Sequence, residues 1–171
     1  MDRVSIFIDG SNLYHGLKGE SGRSDLDFNR FIERLVDGRR LIRTYYYNAP
    51  VPASQNPEQA RNQQRFFDGL RRIPYLAIRL GRLEPRDKTF VEKGIDIAIA
   101  VDMLSMAFHD AYDTAVLVSS DGDFVKVIEA VRDLGKHVEV ACSRKAYHVK
   151  QAADKVIELN QAFLAPLWMK R

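Results

Sequence analysis

Short apolar segments alternate along the chain with longer segments in which apolar residues recur at helical spacing. The short segments are rich in β-branched and aromatic residues and predict six strands, over residues 4–8, 41–47, 75–83, 114–119, 137–141 and 156–159. The longer segments predict helices over residues 28–36, 57–73, 94–109, 124–134 and 147–153. Strands that alternate with helices predict a three-layer α/β fold, with a mainly parallel central sheet flanked by helices.

Other segments refine this outline. Residues 19–24 predict a loop, and residues 84–88 predict a charged excursion after the third strand. Because the helix over 94–109 is mostly apolar all round, we expect it to be largely buried.

We assign residues 1–160 to one domain and residues 161–171 to a C-terminal extension of it. Four apolar side chains of the extension either pack on this domain or join a second subunit in a homodimer: Phe163, Leu164, Leu167 and Trp168.

Composition excludes several classes of protein. With 171 residues, of which 46% are hydrophobic, the chain can form one ordinary globular core. Its single cysteine, Cys142, excludes an internal disulfide and argues against a cysteine-built zinc site. The apolar run over 4–8 is too short for a signal peptide, and no run approaches the roughly 20 residues that span a bilayer. We therefore expect a cytoplasmic protein with no membrane partner.

The first and fourth predicted strands each lead directly into an acidic turn. Asp9 follows the first strand, and Asp121 and Asp123 follow the fourth. Ligands of parallel α/β folds bind beyond the carboxyl ends of the strands, so these carboxylates share one crevice if the two strands are neighbours. Taken alone, the Asp-Gly-Asp turn is also ordinary turn and helix-cap chemistry, but a carboxylate that ends a buried strand favours a functional site.

A further carboxylate lies at the start of the apolar helix. Asp96 falls in its first turn, whereas Asp102 lies about 120° away around the helix axis, so the two cannot face one point. We prefer Asp96 as the site residue because the start of the helix lies nearer the edge of the sheet. Convergent carboxylates repel one another unless a cation neutralises them, and oxygen-only ligands favour Mg²⁺ or Mn²⁺.

Three sequence blocks carry a family resemblance: residues 7–13 (FIDGSNL), 93–102 (KGIDIAIAVD) and 118–124 (VSSDGDF). Together they closely resemble the NYN domain, specifically its LabA-like branch. The resemblance implies a PIN-like nuclease fold that acts on RNA, with Asn12 as a polar companion of the first acid. It implies four catalytic, metal-binding acids: Asp9, Asp96, Asp121 and Asp123. Ser120 stands where the family often has glycine, and its hydroxyl is a candidate phosphate contact.

Basic residues supply a candidate track for a nucleic acid. Arg61, Arg65 and Arg72 fall on one stripe of the predicted helix over 57–73, where they either pair with phosphates or form a solvated face. Lys93 is a further candidate phosphate ligand. The first 90 residues carry five more basic than acidic side chains, and the remainder carries two more acidic than basic. This division suits an anionic partner beside a carboxylate site.

Aromatic residues of the second strand have two interpretations. Tyr45 and Tyr47 lie on one face of the strand and Tyr46 on the other. Stacking on unpaired bases is one role, and core packing is favoured because parallel strands are covered on both faces.

These features favour a metal-dependent ribonuclease that hydrolyses phosphodiester bonds with Mg²⁺ or Mn²⁺. The first alternative is a PIN-like RNA-binding or regulatory module with weak or no catalysis. The second is a small-molecule phosphohydrolase with Asp9 as nucleophile, although such enzymes usually carry a second acid where Ser11 stands.

Overall fold

The computed structural model describes all 171 residues, as eight strands and seven α-helices. The strands are β1 (Arg3–Asp9), β2 (Arg40–Asn48), β3 (Leu76–Leu80), β4 (Arg82–Arg86), β5 (Thr89–Lys93), β6 (Thr114–Val118), β7 (His137–Cys142) and β8 (Lys155–Glu158). The helices are α1 (Gly10–Ser21), α2 (Phe28–Val36), α3 (Pro57–Arg71), α4 (Ile95–Phe108), α5 (Val125–Asp133), α6 (Tyr147–Ala152) and α7 (Gln161–Leu164). Single 3₁₀ turns span Gly122–Phe124 and Ala165–Leu167.

Six strands form one parallel sheet in the order β3-β2-β1-β6-β7-β8, and helices cover both of its faces. Helices α1, α2, α3 and α7 pack on one face, and α4, α5 and α6 pack on the other. The predicted three-layer α/β fold is therefore confirmed. Tyr46 packs in the first layer, whereas Tyr45 and Tyr47 pack in the second, as favoured for these residues.

The order of the strands reverses between β1 and β6. From β1 the chain moves outward to β2 and β3, and then returns to place β6 against the other side of β1. Such a switch point leaves a crevice at the carboxyl ends of the two strands. The first and fourth predicted strands, β1 and β6, are therefore neighbours, and Asp9 lies beside the turn that follows β6.

Helix α1 is a structural element that the sequence did not predict. It begins at Gly10, directly after β1, in place of the expected polar turn, and ends at Ser21 within the expected loop over 19–24. Only Gly10, Leu13 and Leu17 are buried, so the apolar stripe of this helix is too sparse to show in the sequence pattern.

The predicted third strand is also wrong in extent. It ends at Leu80, and residues 82–86, predicted as the end of this strand and the start of a charged excursion, form β4. This strand pairs with β5, which the sequence did not predict, in a separate antiparallel hairpin. A side chain at Gly81 would lie 2.6 Å from Ile95, so the chain leaves the sheet at a residue without one. Asp87, at a φ of 54°, forms the tip of the hairpin.

Helix α4 is only half buried, contrary to the expectation that it would be largely covered. Ile95, Ile99, Met103 and Ala107 face the sheet. The opposite face is an exposed apolar ridge of Ile97, Val101, Leu104 and Phe108. A helix on the outside of a three-layer fold has a single covered face, and the uniform apolar pattern cannot identify which layer the helix occupies.

The C-terminal extension packs on its own domain. Leu164 and Leu167 are buried in the layer that holds α1, α2 and α3, and Phe163 and Trp168 pack against it. The backbone amide of Asp27 donates to the carbonyl of Leu167 at 2.8 Å. These side chains are therefore occupied within the chain and give the predicted homodimer no support. None of the helices combines the length and apolar character needed to cross a membrane.

Candidate functional site

Asp9 ends the central strand β1 and caps helix α1. It is 5% exposed, and its carboxylate accepts hydrogen bonds from the backbone amide of Asn12 at 3.4 Å and from the hydroxyl of Ser119 at 3.2 Å. Burial, and to a smaller extent the charges of Asp96 and Glu92, raise the pKa of Asp9 to about 6 in spite of these hydrogen bonds. Folding therefore holds this carboxylate where its ionised form is poorly solvated.

Gly10 makes the abrupt passage from β1 into α1 sterically feasible. A Cβ atom at this position would lie 2.5 Å from the ring of Tyr46 and 2.7 Å from the backbone carbonyl of Tyr47. Because one of these neighbours is backbone, no side-chain rotation could relieve both contacts. The absence of a side chain at Gly10 thus lets α1 start against β2 and fixes Asp9 at the edge of the sheet.

The turn after β6 connects the two acidic segments. The buried hydroxyl of Ser119 donates to Asp9 and accepts from the backbone amide of Asp121, each at 3.2 Å. Asp121 in turn accepts from the backbone amide of Asp123 at 2.9 Å, which forms the 3₁₀ turn. Ser119 was not among the predicted site residues, because a serine at a strand end has no distinctive spacing.

Asn12 and Ser120 hold the neighbouring loops together. The side-chain oxygen of Asn12 accepts from the backbone amide of Ser120 at 2.9 Å, and the hydroxyl of Ser120 accepts from the backbone amide of Ser143 at 3.0 Å. Asn12 also lines the cavity described below, whereas Ser120 does not. The hydroxyl of Ser120 therefore links the turn after β6 to the loop that follows β7.

Asp96 joins the turn after β6 from the other side of the cavity. Gly94 adopts a φ of 85°, in the left-handed region, and allows α4 to begin directly after β5. Carboxylate oxygens of Asp96, Asp121 and Asp123 all lie within 4.8 Å of one another. Partial burial, followed by the charges of the other two acids, raises the pKa of Asp96. Asp9 is adjacent but is not part of this cluster of three.

Asp9, Asp96 and Asp121 line a cavity of about 420 Å³, here called the carboxylate cavity, whereas Asp123 lies outside its lining. Its polar lining consists of Asp9, Ser11, Asn12, His15, Glu92, Asp96 and Asp121, and includes no lysine or arginine. Partial burial and the charge of Asp96 raise the pKa of Glu92, whereas His15 and Ser11 act in the opposite direction. Sequence reasoning missed Glu92 because the sequence predicts no element over residues 89–92, so the strand that carries Glu92 was not expected. An excess of negative charge is thus concentrated in one crevice.

Asp102 lies outside this cavity. Its carboxylate accepts a hydrogen bond from the hydroxyl of Tyr47 at 2.7 Å and forms an ion pair with Arg79 at 3.1 Å. Of the two acids on α4, Asp96 therefore faces the strand-end carboxylates, and Asp102 binds groups from β2 and β3.

The predicted basic residues do not converge on the acids. Lys93 ends β5 next to Glu92 but does not line the carboxylate cavity. Arg61 and Arg65 are exposed on α3, and Arg72 is the exposed residue that ends this helix. The structure therefore brings Asp9, Asn12, Asp96, Asp121 and Asp123 together and leaves the arginines on the surface.

The donor set of the cluster fits a hard divalent cation. Three carboxylates supply only oxygen ligands, which suits Mg²⁺ or Mn²⁺. A separation within 4.8 Å allows all three to reach one ion, since ligand bonds of roughly 2.0–2.6 Å place the oxygens about 3–5 Å apart. The acids have no basic partner in the cavity, so a cation would relieve their mutual repulsion.

Comparison with known proteins identifies the family of the chain. The NYN domain profile matches residues 3–160. The chain belongs to the NYN domain family. This NYN chain is 29% identical to the low amplitude and bright protein LabA of Synechococcus elongatus, in an alignment that covers 92% of this chain and 84% of LabA. The predicted NYN assignment, in its LabA-like branch, is thereby confirmed.

A solved structure shares the fold of this NYN chain. It is a protein of unknown function from Vibrio parahaemolyticus, which superposes with a TM-score of 0.74 over 95% of this chain and 96% of that chain. The two sequences are 23% identical, so this likeness supports the fold alone.

Proposed function

We propose that this NYN protein is a metal-dependent nuclease that hydrolyses phosphodiester bonds in RNA. The observation that carries the proposal is the convergence of Asp96, Asp121 and Asp123 within 4.8 Å of one another, beside a cavity that Asp96 and Asp121 line and that has no lysine or arginine in its lining. An arrangement of this kind is unfavourable unless a cation is bound. Family membership supplies the choice of a nucleic acid, and of RNA, as substrate.

The four predicted acids have distinct parts in this proposal. Asp96, Asp121 and Asp123 would hold Mg²⁺ or Mn²⁺. Such a cation, when bound, neutralises phosphate charge and makes water a stronger nucleophile. Asp9 lies beside the cluster with its orientation fixed by Ser119, and its raised pKa suits it to accept a proton near neutral pH.

Asn12 and the basic residues complete the proposed site. The amide oxygen of Asn12 is engaged by the turn after β6, which leaves its NH₂ group free to donate to a phosphate oxygen. We assign Lys93, Arg61, Arg65 and Arg72 to contacts with the phosphate backbone outside the cavity, and retain Ser120 as a residue that positions the turn and its substrate.

The test compares two aspartates on the same helix. Asp96→Asn should lower the cleavage rate of a single-stranded RNA in Mn²⁺ by roughly 100-fold or more. It should also weaken Mn²⁺ binding, measured by calorimetry. Asp102→Asn is the matched control, because Asp102 makes its contacts outside the carboxylate cavity. Equal loss of metal binding in both variants, or unchanged cleavage in Asp96→Asn, would contradict the proposal.

One observation favours a second candidate function, an RNA-binding module with weak or no catalysis. Asp9, which the family resemblance includes among the metal-binding acids, is nearly buried, and both of its oxygens already accept hydrogen bonds. A protein that binds RNA and Mn²⁺ but cleaves no member of a broad RNA panel would support this candidate. In that case Asp96→Asn should weaken Mn²⁺ binding without any change in cleavage.

A further inference from the structure

A second, larger cavity adjoins the carboxylate cavity. It has a volume of about 640 Å³, which lies within the usual range of roughly 300–1,000 Å³ for sites that bind small organic groups. Ser11, His15 and Glu92 line both cavities and form the wall between them. Helices α1 and α3 supply most of the remaining lining. We call this space the aromatic cavity.

Aromatic rings give this cavity flat apolar surfaces. Phe66 of α3 is 38% exposed, and Tyr14 of α1 is 48% exposed. The ring of Phe66 packs edge-on against Phe28 at 5.5 Å and Tyr46 at 5.7 Å between centroids. These neighbours hold the Phe66 ring in place and leave part of it accessible to a ligand. A fixed, partly exposed ring is the feature on which an unpaired base stacks.

Side-chain amides of α3 supply polar groups at the same surface. Both polar atoms of the Gln63 side chain are engaged within the protein, because its oxygen accepts from the backbone amide of Val51 at 2.7 Å and its nitrogen donates to the carbonyl of Ala49 at 3.0 Å. It thereby fixes the loop that follows β2. Gln59 and Asn62 also line the cavity, and their side chains make no hydrogen bond within the protein. An amide offers both donors and an acceptor, which matches the edge of a base.

The charge of the lining discriminates between the parts of a nucleotide. The aromatic cavity contains no lysine or arginine, and its one acidic residue is Glu92. A phosphate would therefore find no lysine or arginine to pair with in it. A neutral heterocycle with two apolar faces and a polar edge fits both the aromatic rings and the free amides.

We propose that the aromatic cavity binds an unpaired nucleobase of the RNA, adjacent to the phosphodiester in the carboxylate cavity. The inference rests on the proposed nuclease function for the identity of the polymer. Phe66 and Tyr14 stack on the base, and Gln59 and Asn62 contact its edge. The shared wall of Ser11, His15 and Glu92 places this base beside the phosphate to be cleaved. A paired base could not enter, so the cavity selects single-stranded substrate.

The test measures binding without cleavage. Fluorescence anisotropy in EDTA at low salt gives the Kd of a labelled single-stranded RNA and of a matched series in which one nucleotide at a time is abasic. Phe66→Leu should weaken binding of the intact RNA by about tenfold, as expected for the loss of one stacked base. One RNA of the series lacks the base that stacks in the cavity. For that RNA, Phe66→Leu and the wild type should have the same Kd. Phe66 also contacts the core, so Gln59→Ala combined with Asn62→Ala provides a second test on exposed side chains.

Gln64→Ala is the matched control, since Gln64 is exposed on α3, bonds to Asp68 and does not line the cavity. Unchanged Kd in both cavity variants, equal Kd for intact and abasic RNA, or no binding of single-stranded RNA would each overturn the proposal. Duplex RNA that binds as tightly and depends equally on Phe66 would overturn the selection for unpaired bases. Phe66-dependent binding without cleavage in Mn²⁺ would refute the nuclease and leave the base site standing. Cleavage that neither cavity variant alters would refute the base site and leave the nuclease standing.

Discussion

Substitution of Asp9 by Asn should stabilise the folded protein at neutral pH in the absence of metal. Burial raises the pKa of Asp9 from 3.8 to about 6, so the folded chain holds this proton more tightly than the unfolded chain does. Stability must then fall as the pH rises from about 4 to 6, because the folded state binds more protons over that range. Since each tenfold change in an acid dissociation constant is worth about 1.4 kcal/mol, the ionised carboxylate costs the folded state about 3 kcal/mol.

Asn removes the charge and retains most of the local structure. It is as good a helix cap as Asp, and its amide oxygen can accept the hydrogen bond from the backbone amide of Asn12. The gain in free energy of unfolding should therefore be about 2–3 kcal/mol at pH 7.5 and close to zero at pH 4. The assay is urea denaturation of both proteins in EDTA at several pH values between 4 and 8.

Asp133→Asn provides the control for the loss of a carboxylate, because Asp133 is exposed at the end of α5 and its side chain has no hydrogen-bond or ion-pair partner. It should change stability little at any pH. If the difference between Asp9→Asn and wild type were the same at pH 4 and pH 7.5, the argument from burial would be refuted. Asp9→Asn should also bind Mn²⁺ more weakly, because it removes a negative charge that lies beside the cluster of three acids, so stability and metal binding would be opposed at this residue.

Three further perturbations test the fold and the surface. Arg39→Ala should lower the free energy of unfolding by about 3–5 kcal/mol at pH 7, measured by urea denaturation. Glu139 is 2% exposed and would lose its bidentate partner. That partner holds the pKa of Glu139 below its usual range, against the opposing effect of burial. The cost should shrink as the pH falls and Glu139 is protonated, and a pH-independent cost would contradict this account. Gly10→Ala should lower stability by about 1–3 kcal/mol through its contacts with β2, and an unchanged melting temperature would show that the strand can yield. Arg61→Gln combined with Arg65→Gln should weaken RNA binding and reduce the slope of log Kd against log salt by roughly 1.4, and an unchanged slope would remove these arginines from the phosphate track.

The sequence by itself determined the elements whose signal is local. Alternating strand and helix patterns gave the parallel α/β fold, and the strand ends carried Asp9, Asp121 and Asp123 to one edge. The carboxyl ends of parallel strands all lie at one edge of the sheet, so the shared edge of these three acids follows from the parallel fold, whereas their adjacency does not. The geometry of a helix likewise places Asp96 and Asp102 on different faces of α4, but only the contacts of that helix decide which of the two joins the site.

Other features depend on contacts between distant segments. The adjacency of β1 and β6, which brings Ser119 to Asp9, is a property of strand order, and no local pattern encodes it. Helix α1 has only a sparse apolar stripe, so its formation depends on the space that Gly10 leaves beside β2.

Which residues line the two cavities likewise depends on the tertiary structure. Glu92 reaches the carboxylate cavity because β4 and β5 pair with each other outside the main sheet. The aromatic cavity is formed by residues from separate elements that are distant in sequence, among them Tyr14, Phe66 and Glu92. Local sequence thus determined which side chains end the strands. Packing of remote elements decided which cavities those side chains line, because a cavity exists only once its separate walls have come together.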